Sequence, residues 1–212
     1  MSNLLMNVDR MKVLFELSLI NAPEETIYNK ITVFASEAIG TPVSLVSMVA
    51  SDYQFFKSEV GLPEPWKSKR RTPLSHSFCQ HVVKENKPLI ISDARQNDLV
   101  KNNLAIRDLN VIGYLGIPLT LEDGKSLGSL CVIDSNPRDW TQTEIDIMTE
   151  LASIMTKEFD TRAYVLRKQM TRVELKDLQD SIVSFVDSIN TNQAKEDILQ
   201  EIRSKKVAYK LV

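Results

Sequence analysis

Four runs decide the fold: Arg71-Thr-Pro-Leu-Ser-His-Ser-Phe-Cys-Gln-His-Val-Val83, Pro88-Leu-Ile-Ile-Ser-Asp-Ala94, Tyr114-Leu-Gly-Ile-Pro-Leu119 and Ser126-Leu-Gly-Ser-Leu-Cys-Val-Ile-Asp134. They read as one helix followed by strands. Ser75 or Ser77 supplies the N-cap of the helix, which stops near Asn86-Lys-Pro88. Pro88–Ala94 is a strand, and residues 95–110 form a polar crossover anchored by Leu99, Leu104, Ile106 and Leu109. Val111–Leu121 and Leu127–Asp134 are two more strands, joined through Glu122-Asp-Gly-Lys125. An Asp-Gly pair between alternating runs marks a hairpin, because glycine tolerates positive φ.

Upstream, Met11, Leu14, Phe15 and Leu17 recur at helical spacing, which predicts a short amphipathic helix over 9–20. Asn21-Ala-Pro23 ends it. A second helix over 24–39 carries Ile27, Ile31, Phe34, Ala35 and Ala38 on one stripe and stops at Gly40. Thr41–Ala50 is rich in valine and reads as a strand buried on both faces. Ser51-Asp52 turns the chain into a second strand, Tyr53–Val60, so the two form a hairpin. Residues 61–73, with three prolines and the basic run Lys67-Ser-Lys-Arg-Arg71, read as a solvated loop.

Downstream, Asn136-Pro137 breaks the last strand and Thr141-Gln-Thr-Glu144 is a capping box that starts a helix. From Thr141 onward there is no glycine or proline. Met148, Leu151, Ala152, Met155 and Phe159 suit packing on the sheet. Phe159, Ala163, Leu166, Met170 and Val173, then Leu175, Leu178, Ile182, Phe185 and Ile189, make a coiled-coil-like seam with a phase slip between the sets. Some 50 helical residues would run roughly 75 Å. Asn190-Thr-Asn-Gln193 interrupts the seam, and Ile198, Leu199 and Ile202 mark a last segment. Such a tail needs a partner: a second copy, its own N-terminal helix, or both.

The elements predict an α+β fold, with a central antiparallel sheet of five or six strands, helices mainly on one face and a long C-terminal helical extension. The boundaries read as an N-terminal helix over 1–20, a globular domain over 21–165 and an extension over 166–212. A chain of 212 residues with 43% hydrophobic and 25% charged content is in the globular range. A net charge of −2 and a pI near 5.8 give no polyanion-binding signature, so no nucleic-acid partner is expected. No run reaches the roughly 18 apolar residues of a membrane span. Two cysteines without metal-type spacing, and no leader-like N-terminus, predict a cytoplasmic, reduced protein.

The four opening runs, in this order, resemble the GAF domain, a sensory module of bacterial signalling proteins such as histidine kinases and diguanylate cyclases. The resemblance covers about residues 20–165. It implies a non-catalytic sensory or regulatory domain that binds a small molecule or partner protein and relays the signal through its C-terminal helix; the N- and C-terminal helices predict a homodimer, and no cofactor is expected. It also implies a pocket between the sheet and its helix-plus-crossover cover, lined by Phe78, Cys79, Val82, Asp93, Leu99 and Tyr114.

The chemistry-bearing residues leave alternatives open. Cys79 lies in the first turn of its helix, where the dipole favours thiolate, or it fills space beside valine as a small core residue. Cys131, in Leu-Cys-Val-Ile, reads as core. His76 and His81 lie some 140° apart around a helix and do not converge on a metal. Asp93 either accepts a hydrogen bond from a ligand or caps the crossover's first turn. Free methionine sulfoxide reductases resemble this fold, and Cys79 would correspond to the cysteine at their helix start. Their second motif, Cys-Asp, is absent here, which leaves Cys79 without an evident resolving thiol. Such a thiol enzyme using Cys79 is the alternative function. A scaffold with a filled pocket is another. Neither the adjacent Cys-His pair of bilin-binding relatives nor the signature of cyclic-nucleotide-binding relatives is present.

Overall fold

A computed structural model describes residues 4–167 and 172–189. Its centre is a six-stranded sheet in the order β3-β2-β1-β6-β5-β4, with every neighbouring pair antiparallel. The strands are β1 (Val43–Val49), β2 (Tyr53–Val60), β3 (Arg71–Pro73), β4 (Leu89–Ile91), β5 (Gly113–Thr120) and β6 (Ser126–Asp134). The two hairpins expected from sequence form, β1 with β2 and β5 with β6, and β1–β6 pairing joins them at mid-sheet. Residues 61–73 are more than a loop. They hold a short helix, α3 (Trp66–Lys69), and edge strand β3, because Arg71–Pro73 finds the free edge of β2. Proline is tolerated there since an edge strand need not donate outward. Nor is Arg70 in the basic run simply solvated: it donates to Ala22 O at 3.0 Å and lies over the Phe55 ring.

Successive strand residues point to opposite faces, and each face has its own core. On one face lie α2 (Thr26–Ile39) and α6 (Gln142–Arg167). Their Ile31, Phe34, Met148, Leu151, Met155 and Phe159 meet Leu115, Ile117, Leu119, Leu130 and Val132 of the sheet. Gly40 closes α2 in the left-handed conformation (φ 71°), and Thr141 and Glu144 bond reciprocally at the start of α6, as their spacing predicts. The N-terminal helix, α1 (Val8–Glu16), is shorter than expected and points Leu14 into this core, while Phe15 is exposed.

Among the described residues the C-terminal part of the chain forms two helices. After α6, α7 (Arg172–Ile189) lies back against α2, where Ile182 and Val183 pack, Asp187 pairs with Lys30, and Gln179 reaches Glu25. The seam is thus partnered in part by the chain's own α2, in place of one 75 Å rod. Met170 and residues 190–212, with Ile198, Leu199 and Ile202, lie outside the described residues.

A buried ionic cluster ties these helices together. Arg162 of α6 donates to Glu158 (2.6 Å), to Glu25 (2.7 Å) and to the Leu17 carbonyl (3.0 Å). Lys57, the extra residue of a bulge in β2, reaches the same Glu25 at 2.6 Å with its side chain fully buried. Burial works to raise the Glu25 pKa, but the hydrogen bonds and charges of Arg162 and Lys57 outweigh it and hold the carboxyl below its ordinary value.

Candidate functional site

The other face of the sheet is covered by α4 (Cys79–Glu85), α5 (Leu104–Leu109) and the crossover between them. Strand register sets what this face presents. Gly116 pairs with Cys131 and Tyr114 with Ile133 on one side, and Leu45 pairs with Cys131 on the other. Tyr114, Gly116, Cys131, Ile133 and Leu45 therefore share a face. Gly116 is required beneath the Tyr114 ring: a Cβ there would lie 2.3 Å from the tyrosine oxygen.

Between this face and its cover lies a cavity of about 30 Å³. Its walls include Leu45, Phe56 and Gln54 from the first hairpin, and Tyr114, Cys131 and Ile133 from the second. Phe78, Cys79, Ala105 and His76 close it from the cover. One water needs roughly 10–15 Å³ on this measure, so the space holds about two. A pocket for a metabolite-sized ligand runs to hundreds of Å³.

Of the residues the sequence marks as a pocket, the structure brings Phe78, Cys79 and Tyr114 together on the cavity wall. Val82 is fully buried in the same core behind them. Asp93 and Leu99 are elsewhere. Asp93 caps the turn at Ala94–Gln96 and takes three hydrogen bonds from Arg95, whose side chain is the first cause holding the carboxyl at about 2. Leu99 is 53% exposed. The crossover buries Ala94 and Val100 in the core in their place, and Arg95 takes the Asp93 carboxylate.

Three contributors were not marked by sequence. Gln54 accepts from Ser47 (3.2 Å) and Ser77 (2.6 Å) and donates to Thr72 (2.8 Å) and the His76 carbonyl (3.4 Å), so its amide is saturated. His76 packs against Trp66 and pairs through Nε2 with Asp108 of α5 at 3.0 Å, with Ser75 on Nδ1. Cys131 lies with its Sγ 3.9 Å from that of Cys79, and the Tyr114 hydroxyl donates to Cys79 Sγ at 3.3 Å. Cys131 is core, as expected, and is also the second thiol that sequence could not find. Period-two alternation places Cys131 on the face of Tyr114; only tertiary packing brings α4 down on it.

The two sulfurs differ. The hydrogen bond from Cys131 lowers the Cys79 thiol most, burial opposes it, and Tyr114, Ser47 and Ser129 lower it further, to about 7. Cys131 is raised well above its ordinary value by the same contact and by burial. Of the two, Cys79 is the sulfur that accepts the Tyr114 hydroxyl, a hydrogen bond that favours its thiolate. Tyr114→Phe should raise the Cys79 pKa, shifting the ultraviolet thiolate absorbance to higher pH; an unmoved titration would show that the hydroxyl does not act on the sulfur. Among the described residues no group of three or more His, Cys, Asp or Glu side chains is placed to hold a metal, and no helix is long and apolar enough to cross a membrane.

Comparisons with known proteins place this geometry. Residues 23–158 match the GAF domain family. A cyclic di-GMP phosphodiesterase of Pseudomonas aeruginosa is 29% identical over 124 residues, covering 58% of this chain and only 20% of that protein's length. Among solved structures, the GAF domain of a phosphoenolpyruvate-protein phosphotransferase from Coxiella burnetii is similar with a TM-score of 0.56 at 20% identity, over 76% of this chain and 96% of that one. The free methionine-R-sulfoxide reductase of Neisseria meningitidis has a TM-score of 0.52 at 16% identity, over 71% and 89%. With the family matched over well more than half its length, this chain belongs to the GAF domains, the sensory modules of signalling proteins.

Proposed function

We propose that this chain is a non-catalytic sensory module of bacterial signal transduction, acting in the cytoplasm and relaying the state of its cavity to the helices on the opposite face. The observation that carries this reading is that one pair of strands serves both. Tyr114 and Cys131 line the cavity, while their neighbours Leu115, Leu130 and Val132 seat α2 and α6. A change in the cavity that moves β5 or β6 moves the floor on which α6 rests. The cavity's size sets the class of stimulus: a very small molecule in this conformation, or a larger one admitted by displacing α5. The output is an effector domain or partner protein of the kind its phosphodiesterase relative exemplifies. Exposed Phe15 on α1 and Tyr164 and Leu166 on α6 suit a homodimer.

Filling the cavity tests the relay. Ala105 of α5 is buried on its wall, and Ala105→Met should alter amide hydrogen exchange in α6, across the sheet. Changes confined to α4 and α5 would refute the relay. Native mass spectrometry of the same protein should report a dimer and any co-purified small molecule.

The thiol-enzyme reading is favoured by the Cys79–Cys131 pair and opposed by the cavity, which is several times too small for an amino-acid substrate. Free methionine sulfoxide should therefore drive no NADPH consumption through thioredoxin; turnover abolished by Cys79→Ala would reverse that conclusion.

A further inference from the structure

We propose that Cys79 and Cys131 form a peroxide-reactive dithiol that closes to an intramolecular disulfide across the cavity. For its physiological meaning this rests on the sensory reading above; the thiol chemistry stands without it. Three observations converge. The sulfurs are 3.9 Å apart on elements 52 residues distant in sequence, and both thiols are free. The cavity they line holds about two water-sized molecules, the size of hydrogen peroxide and well below that of a metabolite. The polar groups of the wall are already spent: Gln54 uses both lone pairs and both donors within the protein, and His76 is held by Asp108 and Ser75. What the cavity offers an occupant is sulfur, with the Tyr114 hydroxyl fixed on one of the two atoms.

The sulfurs have distinct parts in the chemistry. Cys79, whose sulfur accepts the Tyr114 hydroxyl at 3.3 Å, is the nucleophile, and Cys131, 3.9 Å away, is the resolving thiol. The Cys79 thiolate attacks one peroxide oxygen and the O–O bond breaks. The departing hydroxide takes up the proton lost from Cys79, leaving a sulfenic acid and one water. Cys131 sulfur then attacks the Cys79 sulfur and the S–O bond breaks. Hydroxide leaves with the Cys131 proton as a second water. Two thiols and one peroxide become one disulfide and two waters. Closing to a bond of about 2 Å draws α4 onto β6 and removes the acceptor of the Tyr114 hydroxyl. Both changes bear on the strands that seat α6.

The test uses the reduced full chain, treated anaerobically with hydrogen peroxide and in parallel with tert-butyl hydroperoxide. Expected is loss of both thiols in denaturing thiol assays, with an intact mass lower by two hydrogens and a single-chain band on a non-reducing gel. Hydrogen peroxide should react about ten-fold faster or more than the bulkier oxidant, given equal access in unfolded protein. Cys131→Ser should stop at a dimedone-trappable sulfenic acid on Cys79, and Cys79→Ser should slow peroxide consumption about ten-fold or more. If the serine variants misfold by circular dichroism, Cys79→Ala and Cys131→Ala replace them; if those misfold as well, the wild-type result decides. Survival of both thiols in folded protein, a disulfide between two chains, or equal rates with both oxidants would overturn the proposal. Thiols that survive while Ala105→Met still alters α6 would remove this inference and spare the sensory reading. A disulfide that forms without any change in α6 exchange would do the reverse.

Discussion

Arg162→Met is expected to lower the unfolding free energy by about 4 kcal/mol, because removing one partner of a buried ion pair leaves its counter-charge stranded. Glu158, 3% exposed, would keep only the Tyr28 hydroxyl at 2.8 Å, and Glu25 would keep Lys57. In the wild type, burial already raises the Glu158 pKa, and Arg162 and Tyr28 offset that only in part. Without Arg162 it climbs further. A carboxyl with a raised folded pKa binds its proton more readily in the folded state than in the unfolded chain. The variant should therefore gain stability as the pH falls from neutral through that folded value. Urea unfolding across that range checks the sign. Adding Glu158→Gln in the same background should recover about half of the loss, since it removes the orphaned charge. A loss below about 1 kcal/mol at neutral pH would mean that water reaches Glu158 and that the cluster does not hold α6 to α2.

The second large effect is expected at Gly128, on β6 opposite Met48. A Cβ there would sit 2.2 Å from the Ser47 backbone oxygen and 3.0 Å from Met48 Cα. The obstacle is backbone in the middle of the sheet, where the β1–β6 ladder joins the two hairpins. Gly128→Ala should cost about 3 kcal/mol, at the upper end for overpacking. Gly124 is the control. It has φ +85° in the β5–β6 turn with nothing within 4 Å of a Cβ, so Gly124→Ala pays only left-handed backbone strain, about 1 kcal/mol. Midpoints of urea unfolding should separate the two with unchanged slopes. Equal midpoints would show that β1 and β6 part easily to admit a methyl group.

Much of the architecture was legible because it depends on local periodicity and turn chemistry. The 3.6-residue stripe of Ile27, Ile31, Phe34 and Ala35 specifies α2, the Thr141–Glu144 box starts α6, and the Asp-Gly pair sets the β5–β6 hairpin. Edge strand β3 was not legible, since three residues carry no period and Arg71–Pro73 is a strand only because β2 has an open edge. The return of α7 onto α2 differs from the partners expected of the tail, a second copy or the N-terminal helix, because an apolar seam shows that a partner is needed without showing which one. At the site, Phe78, Cys79 and Tyr114 could be grouped through the family resemblance. Asp93 could not be settled, because ligand contact and turn-capping ask for the same carboxylate, and the structure gives it to Arg95.

The sequence by itself determined the order of helices and strands apart from α3 and β3, the antiparallel pairing within each hairpin and the family, all of which follow from neighbours a few residues apart. Only the tertiary structure decided that β1 lies beside β6, that Cys79 and Cys131 meet across 52 residues, and that the cavity between them is about 30 Å³. Those outcomes depend on how closely α4 and α5 pack on the sheet, a matter of side-chain volumes summed over distant segments, and no local pattern encodes that sum.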